Sequence, residues 1–292
     1  MPREESAAVR LRRDAPQTPA PSQPHPELPR IRLLPPHDYL KPTAGGRAWA
    51  QARFVLSALG VSVAIHFALR EPWLGVLLVS LALAFGLPQL RARQRLRQLL
   101  SSGNLNAILE LWNDAIDGLP HYRTVGPLIR ATALAAHGLT ERARGVLERA
   151  ERGLAWENAL EHRLFVETLL DAFEGRRLQA LDKARALRVL PLPASPWAKS
   201  RATVLRSAAG ALARAFAHCP EQGDAARLSA AADHHPLVHW AMRYALAVLH
   251  IDQGRRDEAL ALVRAAPVWP EGSAFNAFQQ EIVERVGRRY RA

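Results

Sequence analysis

The chain has 292 residues, 49% of them hydrophobic, with a formal net charge of +12 and one cysteine. That length carries one or two domains with a sizeable core, and a lone Cys219 excludes a disulfide framework within the chain. All but three of the 39 basic residues are arginine, the lysines being Lys41, Lys183 and Lys199. A basic excess of this kind fits nucleic acid, anionic lipid or the cytoplasmic loops of a membrane protein, so its placement has to decide.

Residues 1–46 lack helical or strand periodicity and hold ten of the 21 prolines, in phrases such as "PQTPAPSQPHPELP". Proline fixes φ and removes a hydrogen-bond donor, so the stretch is expected to be a disordered, partly polyproline-II tail. Its PxxP spacings, Pro16 to Pro19 and Pro26 to Pro29, read either as a docking ligand for an aromatic groove or as solvated tail.

Two uncharged runs follow, Phe54 to Leu69 and Trp73 to Leu90. At 1.5 Å per residue they span about 24 and about 27 Å, near the roughly 30 Å of a bilayer core. The first extends back through Ala52, Ala50 and Trp49 if Arg53 snorkels toward the headgroups. Trp49 and Trp73 lie where interfacial aromatics belong, and Pro72 suits the first turn of a helix. Residues 47–92 are therefore expected to form a two-helix transmembrane hairpin turning at Arg70-Glu71-Pro72. The alternative is a buried soluble helix pair, but a soluble helix shows a polar face and Val76 to Phe85 offers only Ser80. A cleaved signal peptide fits poorly with an apolar run that begins so far along. His66 falls near a helix end and reads as interfacial.

Arg47 and Arg53 precede the first run, and Arg91, Arg93, Arg95 and Arg97 follow the second. The positive-inside rule then places both termini on the cytoplasmic side. The density of arginine and alanine suggests a bacterial genome rich in G and C, hence a bacterial inner membrane. No linker is visible after the second run. "PQLRARQRLRQLL" continues in strong helix formers to the stop at Ser101-Ser102-Gly103, so a continuous helix into the next domain is expected, kinked near Pro88.

Residues 93–292 carry a repeat. Gly138 is followed by Ala143 and Ala150, Gly175 by Ala180 and Leu187, and Gly254 by Ala259 and Ala266, all at the same spacings. Gly103, Ala107 and Leu111 make a fainter copy. The 79 residues from Gly175 to Gly254 leave room for one irregular unit around "CPEQGDAARLSAAAD" and the long helix before it. A period near 35 made of two helices is the mark of an α-solenoid. The glycine ends the first helix in a left-handed conformation, and the small residue after it lets helices approach. Leu147 or Val263 fills the space beside it, and prolines such as Pro191, Pro193 and Pro270 stop the second helix.

On those residues, 96–272 resembles the tetratricopeptide (TPR) repeat family. The last unit is the nearest match, with Leu246, Ala247, Gly254, Ala259, Ala266 and Pro270 in the family's packing, turn and stop positions. Arg243 and His250 stand where the family has aromatic residues, so the repeats are divergent. The resemblance implies an all-α fold and a concave groove, lined by first helices, that binds a protein partner. Carried over by position, that groove would include Leu128, Thr132, Ala135, Phe165, Leu169, Tyr244, Val248 and Ile251. The alternative is that several of these are plain core. No Lys and Asn cluster supports a clamp for a C-terminal carboxylate.

The dense polar stretch "DHHPLVH" places Asp233, His234, His235 and His239 close in sequence, with His218 and Cys219 upstream. Histidines can ligate zinc, but Pro236 keeps His235 and His239 off one helical face, and no HExxH or CxxC occurs. Structural or solvent-facing histidines and a buried, inert Cys219 are the expectation, since a nucleophile needs a base and an orienting group. No phosphate loop, GxSxG or nucleotide motif appears. The basic end "RVGRRYRA" reads as a solvated helix end rather than a lipid or nucleic-acid contact. The sequence therefore leads to a membrane-anchored, non-enzymatic scaffold with no cofactor or metal, binding a membrane-associated protein partner. A histidine-dependent metal protein or enzyme, and an arginine-mediated binder of anionic lipid or nucleic acid, are its rivals.

Overall fold

The structure, a computed structural model, describes residues 94–117, 119 and 121–287, with Ile31, Ser80, Leu87, Leu90 and Arg91 as isolated positions. The rest of the tail, the remainder of the expected hairpin with Trp49, His66 and Trp73, and the basic end from Arg288 lie outside the described residues. Among the described residues the fold is all-α, with no strand, and no helix is long and apolar enough to cross a membrane.

Residues 94–101 are helical and stop at the foreseen place. Ser101 Oγ donates to the Arg97 carbonyl at 3.0 Å, Ser102 Oγ to the Leu99 carbonyl at 2.7 Å, and Gly103 turns the chain at φ 80°. α1 (Leu105–Asp117) follows and buries Ile108, Trp112 and Ile116. Four helix pairs come next: α2 (Tyr122–Ala136) with α3 (Thr140–Glu151), α4 (Leu160–Phe173) with α5 (Arg177–Val189), α6 (Pro196–Phe216) with α7 (Asp224–His234), and α8 (His239–Asp252) with α9 (Arg256–Arg264). Short 3-10 turns, Glu157–Ala159 and Pro236–Val238, lead into α4 and α8. A last helix, α10 (Ala274–Gly287), closes the described chain.

One turn joins the two helices of every pair. After α2, the Leu139 amide reaches back to the Leu134 carbonyl and the Gly138 amide to Ala135, both at 2.9 Å. The same two bonds recur from Arg176 to Asp171 and Gly175 to Ala172, and from Arg255 to His250 and Gly254 to Ile251. This is the Schellman arrangement, which satisfies two orphan carbonyls and needs a left-handed residue, here glycine at φ 74°, 75° and 77°. The third pair makes the same bonds, Cys219 to Arg214 and His218 to Ala215, with His218 at φ 56° in the glycine position. That substitution explains why spacing between glycines leaves a double-length gap there.

The second helices also share a register. Ala143, Leu147 and Ala150 are buried in α3, and Ala180, Ala184 and Leu187 in α5. In α7 the series is Asp224, Leu228 and Ala231, and in α9 it begins Ala259, Val263. Each second helix thus buries one narrow stripe of small and aliphatic residues. The first helices are buried nearly all round, as α2 shows from Ala131 to Ala136. They form the inner layer, and the helical pattern predicts this, because a helix apolar on all sides belongs in a core.

The inner layer closes. α2 packs on α4, α4 on α6, α6 on α8, and α8 returns to α2. Three hydrogen bonds tie the ends of the domain: Trp240 Nε1 to the Ser101 carbonyl at 2.7 Å, Ser273 Oγ to the His137 carbonyl at 2.7 Å, and the Ala274 amide to the Gly138 carbonyl at 2.8 Å. A side chain at Gly103 would run into Pro267, which is how closely the last unit approaches the first. The four pairs therefore form a ring rather than an open arch.

Candidate partner-binding surface

Of the eight residues expected to line an open groove, Leu128, Thr132, Ala135, Phe165, Leu169 and Tyr244 are buried in the ring's core. Val248 and Ile251 remain half-buried. Closure of the ring moves the six inward, because α8 meets α2 where an open arch would leave a gap. The reading of several as plain core is the one that fits them.

Two of the six carry polar groups, and both are satisfied. Thr132 Oγ1 donates to the Leu128 carbonyl at 2.8 Å and lies 2.7 Å from His162 Nε2, an arrangement that makes the histidine the second donor. Burial pushes His162 down to about 4, so the ring is neutral near pH 7. The Tyr244 hydroxyl accepts from Trp269 Nε1 at 2.8 Å, and burial pushes the phenol up to about 12.

α10 lies across the end of the ring where the first helices finish. Phe275 stacks on Tyr244 with ring centroids 4.4 Å apart and meets Phe173, the last residue of α4, edge-on at 5.3 Å. Phe278 packs on Phe216, the last residue of α6, at 5.2 Å. Beside α10 a pocket of about 190 Å³ stays open. Phe173, Phe216, Val248, Ile251, Phe278 and Ile282 give it an apolar floor, with His218 and Glu281 also lining it. It contains the two groove positions that are not buried, and its size suits one apolar side chain.

A larger cleft of about 630 Å³ runs between α5 and α7 with α6 beneath. Thr203, Ser207 and Gly210 keep it open, and five arginines line it. Their charge is largely met within the protein. Arg214 grips buried Asp224 through two donors at 2.9 and 2.6 Å, Arg227 joins at 2.8 Å, and Arg185 pairs with Asp182. Arg206 donates to Glu161 at 3.1 Å and to the carbonyls of Leu190 and Pro191. Asp224 sits in the register position that alanine holds in the other three pairs, and Arg214 and Arg227 neutralise it. The carboxyl is held low, as its partners' hydrogen bonds and charge outweigh the burial that opposes them. A second network joins α3, α4 and α5, where buried Asp171 meets Arg144 at 2.7 Å, Arg176 at 3.0 Å and Lys183 at 2.7 Å. Neither cluster was singled out in the sequence, since ion pairs across helix pairs leave no local spacing signal.

The histidine cluster disperses. His234 is exposed and its Nδ1 bonds to the Ala230 carbonyl, while His235 is buried at the end of α7. His239 bonds through Nδ1 to the Ala232 carbonyl at 3.0 Å, and burial, with Arg243 adding to it, lowers its pKa. His218 pairs with Asp252 at 2.8 Å. Among the described residues no three His, Cys, Asp or Glu side chains gather to hold a metal. The expectation of a buried Cys219 is corrected: the thiol is exposed, because it directly follows the left-handed turn at His218 on the outside of the ring.

No family model matches the chain, and no match was found among curated proteins or solved structures.

Proposed function

We propose that the chain is a TPR-like helical-repeat scaffold, anchored at the cytoplasmic face of a bacterial inner membrane by its two apolar runs, that binds a membrane-associated protein partner. The carrying observation is the fourfold recurrence of one helix–turn–helix unit, with the same pair of turn hydrogen bonds and the same buried stripe. Repeats of this kind build binding surfaces more than reaction centres. The resemblance to TPR repeats supports the same reading, although closure into a ring departs from that family's open groove. The partner engages the apolar pocket beside α10, inserting an aliphatic or aromatic side chain among Phe216, Val248, Ile251 and Phe278. Helical residues at 90–91 and 94–101 support a helix that runs from the second apolar run toward the ring.

The test is a quantitative pull-down from detergent-solubilised membranes with wild-type protein and the Val248→Asp and Ile251→Asp variants. A partner retained by wild type and lost by both variants, at unchanged helical circular dichroism, supports the reading. Equal recovery with all three moves binding away from the pocket. Deleting residues 54–90 should release the protein to the supernatant of a membrane spin.

A further inference from the structure

One residue of the proline-rich tail is seated on the ring. The Ile31 amide donates to the Asn158 carbonyl at 2.8 Å, and the Ile31 side chain, half-buried, packs against the hydrophobic core. Asn158 belongs to the Glu157–Ala159 turn that leads into α4, and its side chain is buried. The contact is long-range: 127 positions separate the two residues. In sequence Ile31 stands between Arg30 and Arg32, whereas Asn158 adjoins Glu157 and lies near Glu161. The apolar Ile31 thus meets the apolar edge of the turn, whose Glu157 and Glu161 already pair with Arg163 and Arg206 inside the ring.

We propose that the tail segment around Ile31 is a strap docked on the Glu157–Ala159 turn, and that it holds the tail and the helical ring on one side of the membrane, so that the two apolar runs cross as a pair. The occupant of this surface is the chain's own Ile31. The membrane half of the inference rests on the anchor reading above. A hydrogen bond cannot form across the roughly 30 Å of a bilayer's hydrocarbon core. Ile31 and Asn158 therefore share a compartment, and the chain between them crosses an even number of times. A single span, with the other run lying in the membrane plane, is incompatible with the contact. The 22 residues between Ile31 and Phe54 reach about 75 Å when extended, which is ample for the tail to return from the bilayer to the ring. The strap supplies a reason, independent of charge, for the tail and the ring to share a side; which side that is rests on the arginine distribution alone.

The experiment uses full-length protein in lipid nanodiscs and reads amide hydrogen exchange by residue. The Ile31 amide should exchange at least about tenfold more slowly than tail amides such as Gln17 and Ser22, because its bond to the Asn158 carbonyl must open first. Equal rates would overturn the strap. Ile31→Asp should abolish the protection and speed exchange around 157–162 while leaving α6 and α8 unchanged, which separates undocking from misfolding. A membrane-impermeant maleimide then tests sidedness in intact cells, on native Cys219 and, in a Cys219→Ser background, on Ser22→Cys. Labelling of both only after permeabilisation supports the paired crossing; labelling of one alone from outside overturns it. Protein found in the supernatant of a membrane spin would overturn the anchor and the crossing count, while slow Ile31 exchange would still support the strap.

Discussion

The inner and outer helices of the ring solve the same packing problem differently. α2, α4, α6 and α8 are covered on nearly every side, by their own outer partner, by both inner neighbours and at one end by α10. The outer helices bury a single stripe and expose the rest, so that Leu178 on α5 is 77% exposed while Ala180, two residues on, is fully covered. The contrast teaches where information about this fold is stored. An outer helix states its register in a few small and aliphatic residues, because its one buried stripe must lie close to its neighbours. An inner helix is apolar throughout, and its sequence does not say which neighbour covers which face.

The sharpest way to break that contrast is to attack a charge in the inner layer. Arg206 on α6 is 5% exposed and ties Glu161 on α4 to the carbonyls that end α5. Arg206→Met should destabilise the domain by about 3–5 kcal/mol, since it strips a buried carboxylate of its main partner. Urea denaturation reads this directly, and a loss under about 1 kcal/mol would mean that Glu161 is better solvated than its position implies.

His162 sharpens the comparison through pH. Its folded pKa of about 4 lies below the ordinary 6.5, so the unfolded chain takes up a proton that the folded domain refuses. The stability gained by keeping this ring neutral is full above pH 6.5 and is lost as pH falls from 6.5 toward 4. On the order of 3 kcal/mol should disappear across that window. His162→Gln, which keeps a donor for Thr132 but does not titrate, should flatten that part of the urea-midpoint curve. An undiminished slope would place the titrating group elsewhere.

The outer stripe is tested by filling it. Ala143→Leu and Ala259→Leu add methylenes to positions with no exposure and should each cost about 1–3 kcal/mol. Leu178→Ala, on the open face, should stay within about 0.5 kcal/mol of wild type. Similar thermal midpoints for all three variants would remove the distinction between stripe and face. A small effect of opposite sign is expected at the one pair turn with histidine in the left-handed position. His218→Gly relieves a left-handed histidine but forfeits its contact with Asp252, so a gain of up to about 1 kcal/mol is expected by thermal melting.

These residues also show how far the sequence carries. The turns at Gly138, Gly175 and Gly254 and the small residues after them were legible, because a left-handed turn and a close helix contact each demand a particular residue. The third pair was legible only as a gap. His218 takes the glycine's place, the connection runs over seven residues where the other pairs use three, and Asp224 stands where alanine was sought. Ring closure left no periodic trace at all. It depends on Trp240, Trp269 and Phe275 finding Ser101, His137 and Tyr244 across more than a hundred residues of chain or through the crossing of α10, and such contacts have no spacing to read. Six of the eight candidate groove positions are buried for the same reason. Position within a helix identified its inward face, and closure then decided whether that face met solvent or core.

Closure is the claim on which the account turns, and the distance between the first and last units tests it most directly. Nitroxide labels at Asn104→Cys and Val268→Cys, in a Cys219→Ser background, flank the contact of Gly103 with Pro267 and Trp269 from exposed positions. Helices packed about 8–10 Å apart would separate the ends of four stacked pairs by roughly 30 Å or more if the array were open. The ring predicts a narrow distribution centred below about 20 Å, the reach of two labels across one close helix contact. A broad distribution, or one centred beyond about 30 Å, would contradict it and return the inner helices to an open arch.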